Sequence, residues 1–469
     1  MIAQPVSPRP ARDPGSFRDP AGAVFHVGHR VLRYLNTQGA DDFTALADSG
    51  LLESLIGRGS LVPTRVLPAS EVPPVDGSKP ALVLEHDRVP FISYAYEWPF
   101  ELLRSAALQY LDTMRTSLDS GFILKDATSF NTQFFGARPT MIDISSFEPY
   151  VPGRPWAGYS QFCRMFLNPL VLQSKAGIPF QRWLRSSIEG ITPAELTRVL
   201  PFRRKLRRAV FTHVVLQAWL GRKLEGNPQS VKIAADGEFD PRTLRRLIDQ
   251  LERTIGDLKR PVDASVWSDY EVDCHYEATA TSHKEQFVDE VLAGWRPKLL
   301  WDLGSNSGQY SAIAARASNY VVAIDGDELA VGGLTHRDDA DHDRILPLVM
   351  DLGNPSPDQG WGGVERHGLS ARGPADAALA LALVHHLSIS GHVPLPSVVE
   401  WLARHARRAI VEFVPLDDPM AQRLLSARFD RPVGYDVATF EHSLTQHFAV
   451  ERREQLPNSD RALYAVTER

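Results

Sequence analysis

The chain predicts an α/β protein. Its second half reads as a doubly wound, mostly parallel sheet closed by an antiparallel hairpin, with an α+β domain ahead of it. Three observations carry this. Apolar strand-like runs and helical stretches alternate regularly from about residue 262 to the C-terminus. The first such strand, 299–301, ends in Asp302-Leu303-Gly304 and a small-residue loop that opens an alanine-rich helix, 309–317. The last two strands, 448–455 and 461–466, are joined by the turn Pro457-Asn458-Ser459-Asp460 and have no helix between them, which marks an antiparallel edge.

Composition narrows the class. At 469 residues the chain is long enough for two or three domains, and 43% apolar with 23% charged residues describes a globular protein with ample core material. The 51 basic and 57 acidic residues leave a net charge of −6, so no global electrostatic case exists for nucleic acid or for an anionic membrane surface. No apolar run reaches the length of a membrane span; the longest, 210–220, is interrupted by Thr212, His213 and Gln217. Two cysteines, Cys163 and Cys274, support neither a disulfide framework nor a zinc cluster, so no metal is expected and a reducing cytoplasm fits. The Pro- and Arg-rich residues 1–20 lack an apolar segment and read as a disordered tail.

In the domain over 21–223, residues 23–27 and 30–35 form a hairpin around Gly28, followed by a helix over 41–56 and an extended run over 82–96. Apolar spacing makes 101–118 helical through Leu102, Leu103, Ala106, Ala107, Leu111 and Met114. Strands at 122–124 and 140–144 flank a turn at Gly136, and helices dominate 160–220. The stretch 224–241 reads as a linker, and a charged helix over 244–258 completes the connection 224–261. The basic run Arg203-Arg204-Lys205-Leu206-Arg207-Arg208 could contact a phosphate-bearing or acidic partner, though such a run is more often a solvated helix face.

From 262 to 469 each strand ends on a chemically distinct residue. The second, 321–324, closes on Asp325-Gly326, 23 positions after Asp302, where an acid suits the two hydroxyls of a ribose. The third, 345–350, ends at Asp351-Leu352; the fourth, 377–383, ends in His385-His386; the fifth spans 409–414. Helices follow at 327–337, 398–405, 419–429 and 437–447, giving five βα units before the hairpin. Gly304-Ser305-Asn306-Ser307-Gly308 lacks the middle glycine that a dinucleotide pyrophosphate needs. Asp302 would repel phosphate but suits an amino-acid ammonium.

The Asp302-x-Gly304-x-Asn306-x-Gly308 loop resembles motif I of the class I S-adenosylmethionine-dependent methyltransferases, and the later markers fall in that family's order over 262–469. The resemblance implies a Rossmann-like methyltransferase sheet and S-adenosyl-L-methionine as cofactor. It implies a cofactor site at Asp302, Gly304, Ser305, Asn306, Ser307, Gly308, Tyr310, Asp325, Gly326, Asp351 and Leu352. Asp325 would hold the ribose and Asp351 would face the adenine. His385 and His386 fall where the fourth strand opens toward the acceptor and are the candidate catalytic bases, with His392 and Glu412 near other strand ends. Segments 383–395 (LVHHLSISGHVPL) and 410–425 (IVEFVPLDDPMAQRLL) resemble, more narrowly, bacterial proteins related to rhizobial nodulation-type methyltransferases. Trp267, Tyr270 and Tyr276, ahead of the helix beginning at Lys284, could form a lid or simply pack. The expected partner is a small-molecule oxygen or nitrogen acceptor.

Asp126 and Asn131, five apart on a loop, with Asp143 closing the next strand, resemble the catalytic and metal-binding loops of protein-kinase-like phosphotransferases. This sequence departs from that pattern. It has no G-x-G-x-x-G, it offers Arg30 or Arg33 in place of the strand lysine, and Asp143-Ile144-Ser145 stands in place of D-F-G. Chance spacing, a degenerate kinase-like fold and an active phosphotransferase all remain open. So do two rivals to the methyltransferase reading: a non-catalytic cofactor-binding scaffold and a fused phosphotransferase–methyltransferase.

Overall fold

A computed structural model describes residues 9–75, 79–205, 210–215, 218, 240–261, 278–336, 343–426 and 432–469. The expected linker over 224–239, the aromatics Trp267, Tyr270 and Tyr276, Cys274, and residues 206–208 of the basic run lie outside them.

The N-terminal half opens with a five-stranded antiparallel sheet. Its strands are β1 (Ala11–Arg12), β2 (Gly22–Val27), β3 (Arg30–Leu35), β4 (Thr64–Val66) and β5 (Leu82–His86), in the order β1-β2-β3-β5-β4. The β2–β3 hairpin turns at Gly28, whose φ of +60° favours glycine. Residues 11–12 pair with β2, so the chain joins the sheet well before residue 20 and the expected tail is shorter than its composition suggested. The expected helix over 41–56 is two helices, α1 (Thr37–Asp48) and α2 (Leu51–Gly57), because Gly50 between them takes φ +73°. Of the extended run 82–96 only β5 is a strand.

The helix α3 (Phe100–Asp119) buries Leu102, Leu103, Ala106, Ala107, Tyr110, Leu111 and Met114 along one side. Beyond it, β6 (Phe122–Leu124) pairs with β9 (Phe147–Pro149). The hairpin at Gly136 is instead β7 (Thr132–Phe135) with β8 (Arg138–Met141). Strand β7 escaped the sequence pattern because buried Gln133 sits in it, its amide bonded to both the N–H and the carbonyl of Ser93. Helices run over Asn168–Ala176, Gln181–Ser186 and Pro193–Val199. The helix Pro241–Gly256, capped by Asp240, turns Leu244, Ile248, Leu251 and Ile255 inward against α3.

The C-terminal half is a seven-stranded sheet of β10 (Leu299–Leu303), β11 (Tyr320–Asp325), β12 (Ile345–Val349), β13 (Ala377–Ala380), β14 (Arg408–Phe413), β15 (Phe448–Gln455) and β16 (Ala462–Glu468). The order is β12-β11-β10-β13-β14-β16-β15; the first five are parallel, and β16 is antiparallel to both neighbours. This is a Rossmann-like sheet with the antiparallel terminal hairpin that the sequence predicted.

Alternation along the strands gives the sheet two apolar faces. Leu300, Val321, Ala323, Ile345, Leu379 and Ile410 pack under helices Ala278–Trp295 and Gln309–Ala317. On the other face Trp301, Leu303, Val322, Ile324, Leu346 and Leu348 share one continuous core with helices Leu395–His405 and Val437–His447, and with Phe91, Trp98 and Phe134 of the N-terminal half. The five expected βα units are corrected here. Residues 350–376, between β12 and β13, hold no helix longer than a three-residue 3-10 turn, with isolated bridges at Gln359–Arg366 and Ala375–Ala406, and the N-terminal half covers the sheet where the third crossover helix would lie. Phe91 meets Trp301 edge-on at 5.9 Å, and the buried Tyr320 hydroxyl accepts from the Gly136 N–H and donates to the Phe134 carbonyl, both at 3.0 Å. Buried Arg372 pairs with buried Glu97 at 2.5 and 2.9 Å. No helix among the described residues is long and apolar enough to cross a membrane.

Candidate functional site at the strand ends

The loop after β10 is shaped by three residues with positive φ: Gly304 (+77°), Asn306 (+48°) and Gly308 (+81°). A Cβ on Gly308 would come within 2.3 Å of Leu334, so that position needs glycine for space as well as for φ; one on Gly304 would meet the end of the Leu383 side chain at 3.3 Å, a tight contact beside its positive φ. Gly308 starts the helix Gln309–Ala317, whose first N–H groups face the loop.

Asp302 points into this turn from β10. It is 3% exposed, and the Ser311 hydroxyl donates to its Oδ2 at 2.6 Å. Burial pushes its carboxyl up to about 6, against the lowering effect of Ser311. Asp325, at the end of the neighbouring parallel strand β11, accepts from the Asn306 N–H and the Asp327 N–H, both at 2.8 Å. Its carboxyl is likewise raised, mainly by burial. Asp351 is exposed just past β12, accepts from the Gly353 N–H, and lies beside Asp325 through the bond from Met350 N–H to the Asp325 carbonyl. Ser305 is buried, its hydroxyl without a partner among the described residues; Tyr310 is half-buried, and Lys284 Nζ stands 4.8 Å from its ring centroid. The predicted cofactor residues Asp302, Gly304, Asn306, Gly308, Asp325 and Asp351 are thus gathered at the carboxyl ends of three adjacent strands.

Past β13, Ala382 takes φ +49° and donates its N–H to Glu412 Oε2 at 2.9 Å. Glu412 is wholly buried and also receives Lys284 Nζ at 2.5 Å and Arg461 at 3.2 Å; Arg461 in turn holds Asp418 at 2.7 and 2.9 Å. This network links residues more than a hundred positions apart, and only Glu412 and Lys284 drew notice in the sequence. His385 and His386 follow with ring centroids 4.2 Å apart. His385 is wholly buried, and among the described residues neither ring nitrogen has a partner; burial drives its pKa well down, so it is neutral. His386 is half-buried and its pKa is lowered to about 4, again chiefly by burial.

In the N-terminal half, Asn131 Nδ2 lies 3.5 Å from Asp143 Oδ2, and Asp126 is close enough for Asp143 to help raise its carboxyl, after partial burial. Asp143 is heavily engaged: it pairs with Arg33 at 3.0 Å and accepts from the Ser146 hydroxyl at 2.7 Å. Arg33 also bonds Ser145 at 3.0 Å.

The strand order, with the predicted cofactor residues at the carboxyl ends of β10, β11 and β12, is that of a class I methyltransferase fold. The chain belongs to the family of the nodulation protein NoeA of Rhizobium meliloti (strain 1021), with which it is 38% identical over 466 residues, covering 98% of this chain and 96% of NoeA. No family model matches it. Among solved structures, the N-methyltransferase NodS from Bradyrhizobium japonicum WM9 is 11% identical and aligns 41% of this chain with 98% of NodS at a TM-score of 0.30. Magnesium protoporphyrin IX methyltransferase from Synechocystis PCC 6803, solved with bound SAM, is 20% identical and aligns 44% of this chain with 92% of its own at a TM-score of 0.31.

Proposed function

We propose that the chain is an S-adenosylmethionine-dependent methyltransferase acting on an oxygen or nitrogen of a small-molecule acceptor in the cytoplasm. The observation that carries this is Asp302: a buried carboxylate at the mouth of a glycine turn that has, among the described residues, one hydroxyl donor and, beyond the weaker lowering effect of the Lys284 charge, no salt-bridge partner. An amino-acid ammonium supplies one. The Ser305 hydroxyl, without a partner among the described residues, lies in the same turn. The designation of NoeA as a nodulation protein supports placing the activity in nodulation.

When bound, the cofactor supplies an electrophilic methyl on a sulfonium. Asp302 would hold the ammonium, Asp325 the ribose hydroxyls, and Asp351 with Leu352 the adenine edge. His386, neutral at pH 7 and half-buried, orients the acceptor by a hydrogen bond; with a pKa near 4 it is too weak a base to remove a proton fully before transfer. Glu412 holds the loop that carries both histidines through the Ala382 N–H. We read the N-terminal half as a degenerate kinase-like module without phosphotransfer, because Arg33 and Ser146 engage the Asp143 carboxylate. Incubation with tritiated-methyl donor and fractionated cell extract is expected to label one fraction with wild type and none with Asp302→Ala. Equal labelling by both would reject the assignment.

A further inference from the structure

One short helix of the N-terminal half, Gln181–Ser186, touches both loops of the C-terminal half that carry the adenosine-facing acids. Gln181 and Arg185 are four apart and so share a helix face. Gln181 Nε2 donates to Glu328 Oε1 at 3.1 Å, three residues past Asp325, and to the Trp98 carbonyl at 3.0 Å. Arg185 donates to the Asn354 carbonyl at 2.9 Å and the Pro355 carbonyl at 2.8 Å, just past Asp351. Glu328 collects further donors from the same half: the Phe100 N–H at 2.8 Å and Gln173 Nε2 at 2.6 Å. Phe100 is the first residue of the 20-residue α3, so the carboxylate of Glu328 sits where that helix presents free N–H groups and the positive end of its dipole. Arg260 closes the arrangement by donating to the Glu328 carbonyl at 2.8 Å while pairing with Glu101 at 3.1 Å.

The contacts to these loops fall on the Glu328 carboxylate and carbonyl and on the Asn354 and Pro355 carbonyls, in the segments that follow Asp325 and Asp351, and none falls on those two acids themselves. Asp325 is held locally by the Asp327 N–H, one residue before Glu328, so a displacement of Glu328 is transmitted directly to the acid. We propose that the N-terminal half is a built-in clamp on the cofactor site: Glu328 is a positioning residue that fixes the Asp325 loop from outside, and Arg185 does the same for the Asp351 loop. The inference rests on the methyl-donor reading, and it gives the N-terminal half a role in cofactor affinity that needs no ligand of its own.

Calorimetric titration of S-adenosylhomocysteine into the full chain at 15 °C tests it. Wild type binds; Glu328→Ala is expected to bind about tenfold more weakly, a coupling of ordinary size between distinct sites. In an Asp325→Ala background the same substitution is expected to add nothing, because the loop it positions no longer carries the acid. A merely structural Glu328 would lower the melting temperature, leave the dissociation constant of the folded protein unchanged, and so overturn the proposal; full additivity with Asp325→Ala overturns it too. Should Glu328→Ala fail to fold, Gln173→Ala and Gln181→Ala each remove one donor and are expected to weaken binding severalfold; unchanged affinity in both rejects the clamp. Loss of binding already in wild type would instead reject the methyl-donor reading, and the clamp with it.

Discussion

Replacing Asp302 by asparagine separates the cost of this side chain from its use. The carboxyl is buried, has one hydroxyl donor, and titrates near 6 instead of its ordinary 3.8. A rise of that size corresponds to about 3 kcal/mol lost from the ligand-free fold once the group is ionised. The sign follows from which state holds the proton. Below pH 3.8 the group is protonated folded and unfolded alike, and its folded-state pKa being raised, that stability is lost as pH climbs through 6. Asparagine keeps the shape and an acceptor for Ser311 and never ionises. Urea unfolding of the ligand-free protein is therefore expected to show Asp302→Asn equal to wild type near pH 4 and more stable by about 1–3 kcal/mol at pH 8. The same variant is expected to bind S-adenosylmethionine at least a hundredfold more weakly, since a buried ammonium then lacks its counter-charge. In wild type, affinity should fall about tenfold between pH 7 and pH 5 as Asp302 takes up its proton. Identical pH–stability curves for variant and wild type would refute the reasoning, because the carboxylate would then carry no burial cost.

Three further substitutions or truncations follow from the packing. Gly308→Ala places a Cβ 2.3 Å from buried Leu334 at φ +81°, and chemical denaturation should show a loss of about 2–4 kcal/mol; a loss under 1 kcal/mol would mean the turn relaxes freely. Glu412→Ala strips the shared carboxylate from buried Lys284 and Arg461, and the same assay should register about 3–5 kcal/mol, whereas a neutral result would place those cations in water. A fragment of residues 278–469 exposes Trp301, Val322, Ile324 and Leu346, and should bind a hydrophobic dye strongly and aggregate; a soluble, cooperatively melting fragment would show the sheet stands without its N-terminal cover.

The glycine turn after β10 was legible because its chemistry is local. Asp302, Gly304 and Gly308 lie within seven residues, and their spacing alone dictates the turn that Gly304 and Gly308 make with positive φ. The strand ends were legible too, since a strand buried on both faces is a continuous apolar run, and Asp325, Asp351 and His385 punctuate those runs. What escaped was non-local or chemically mixed. The Lys284–Glu412–Arg461 network joins a helix to two strand ends, and no periodicity marks such a set. Strand β7 was hidden by Gln133, whose burial is tolerable only because Ser93 satisfies its amide. The connection after β12 is rich in glycine and proline, but its consequence, a sheet face filled by the N-terminal half, is visible only once the chain is folded. Glu328 carried no sequence signal beyond its place in the helix expected over 327–337, and its four donors come from segments 68 to 228 positions away.

The central claim, that the turn after β10 binds the methyl donor, is tested most directly by isothermal titration of S-adenosylmethionine into wild type, Asp302→Ala and Asp325→Ala. The account predicts saturable one-to-one binding to wild type that both substitutions abolish or weaken at least a hundredfold. Absence of binding to wild type, or equal affinity in all three proteins, would contradict it.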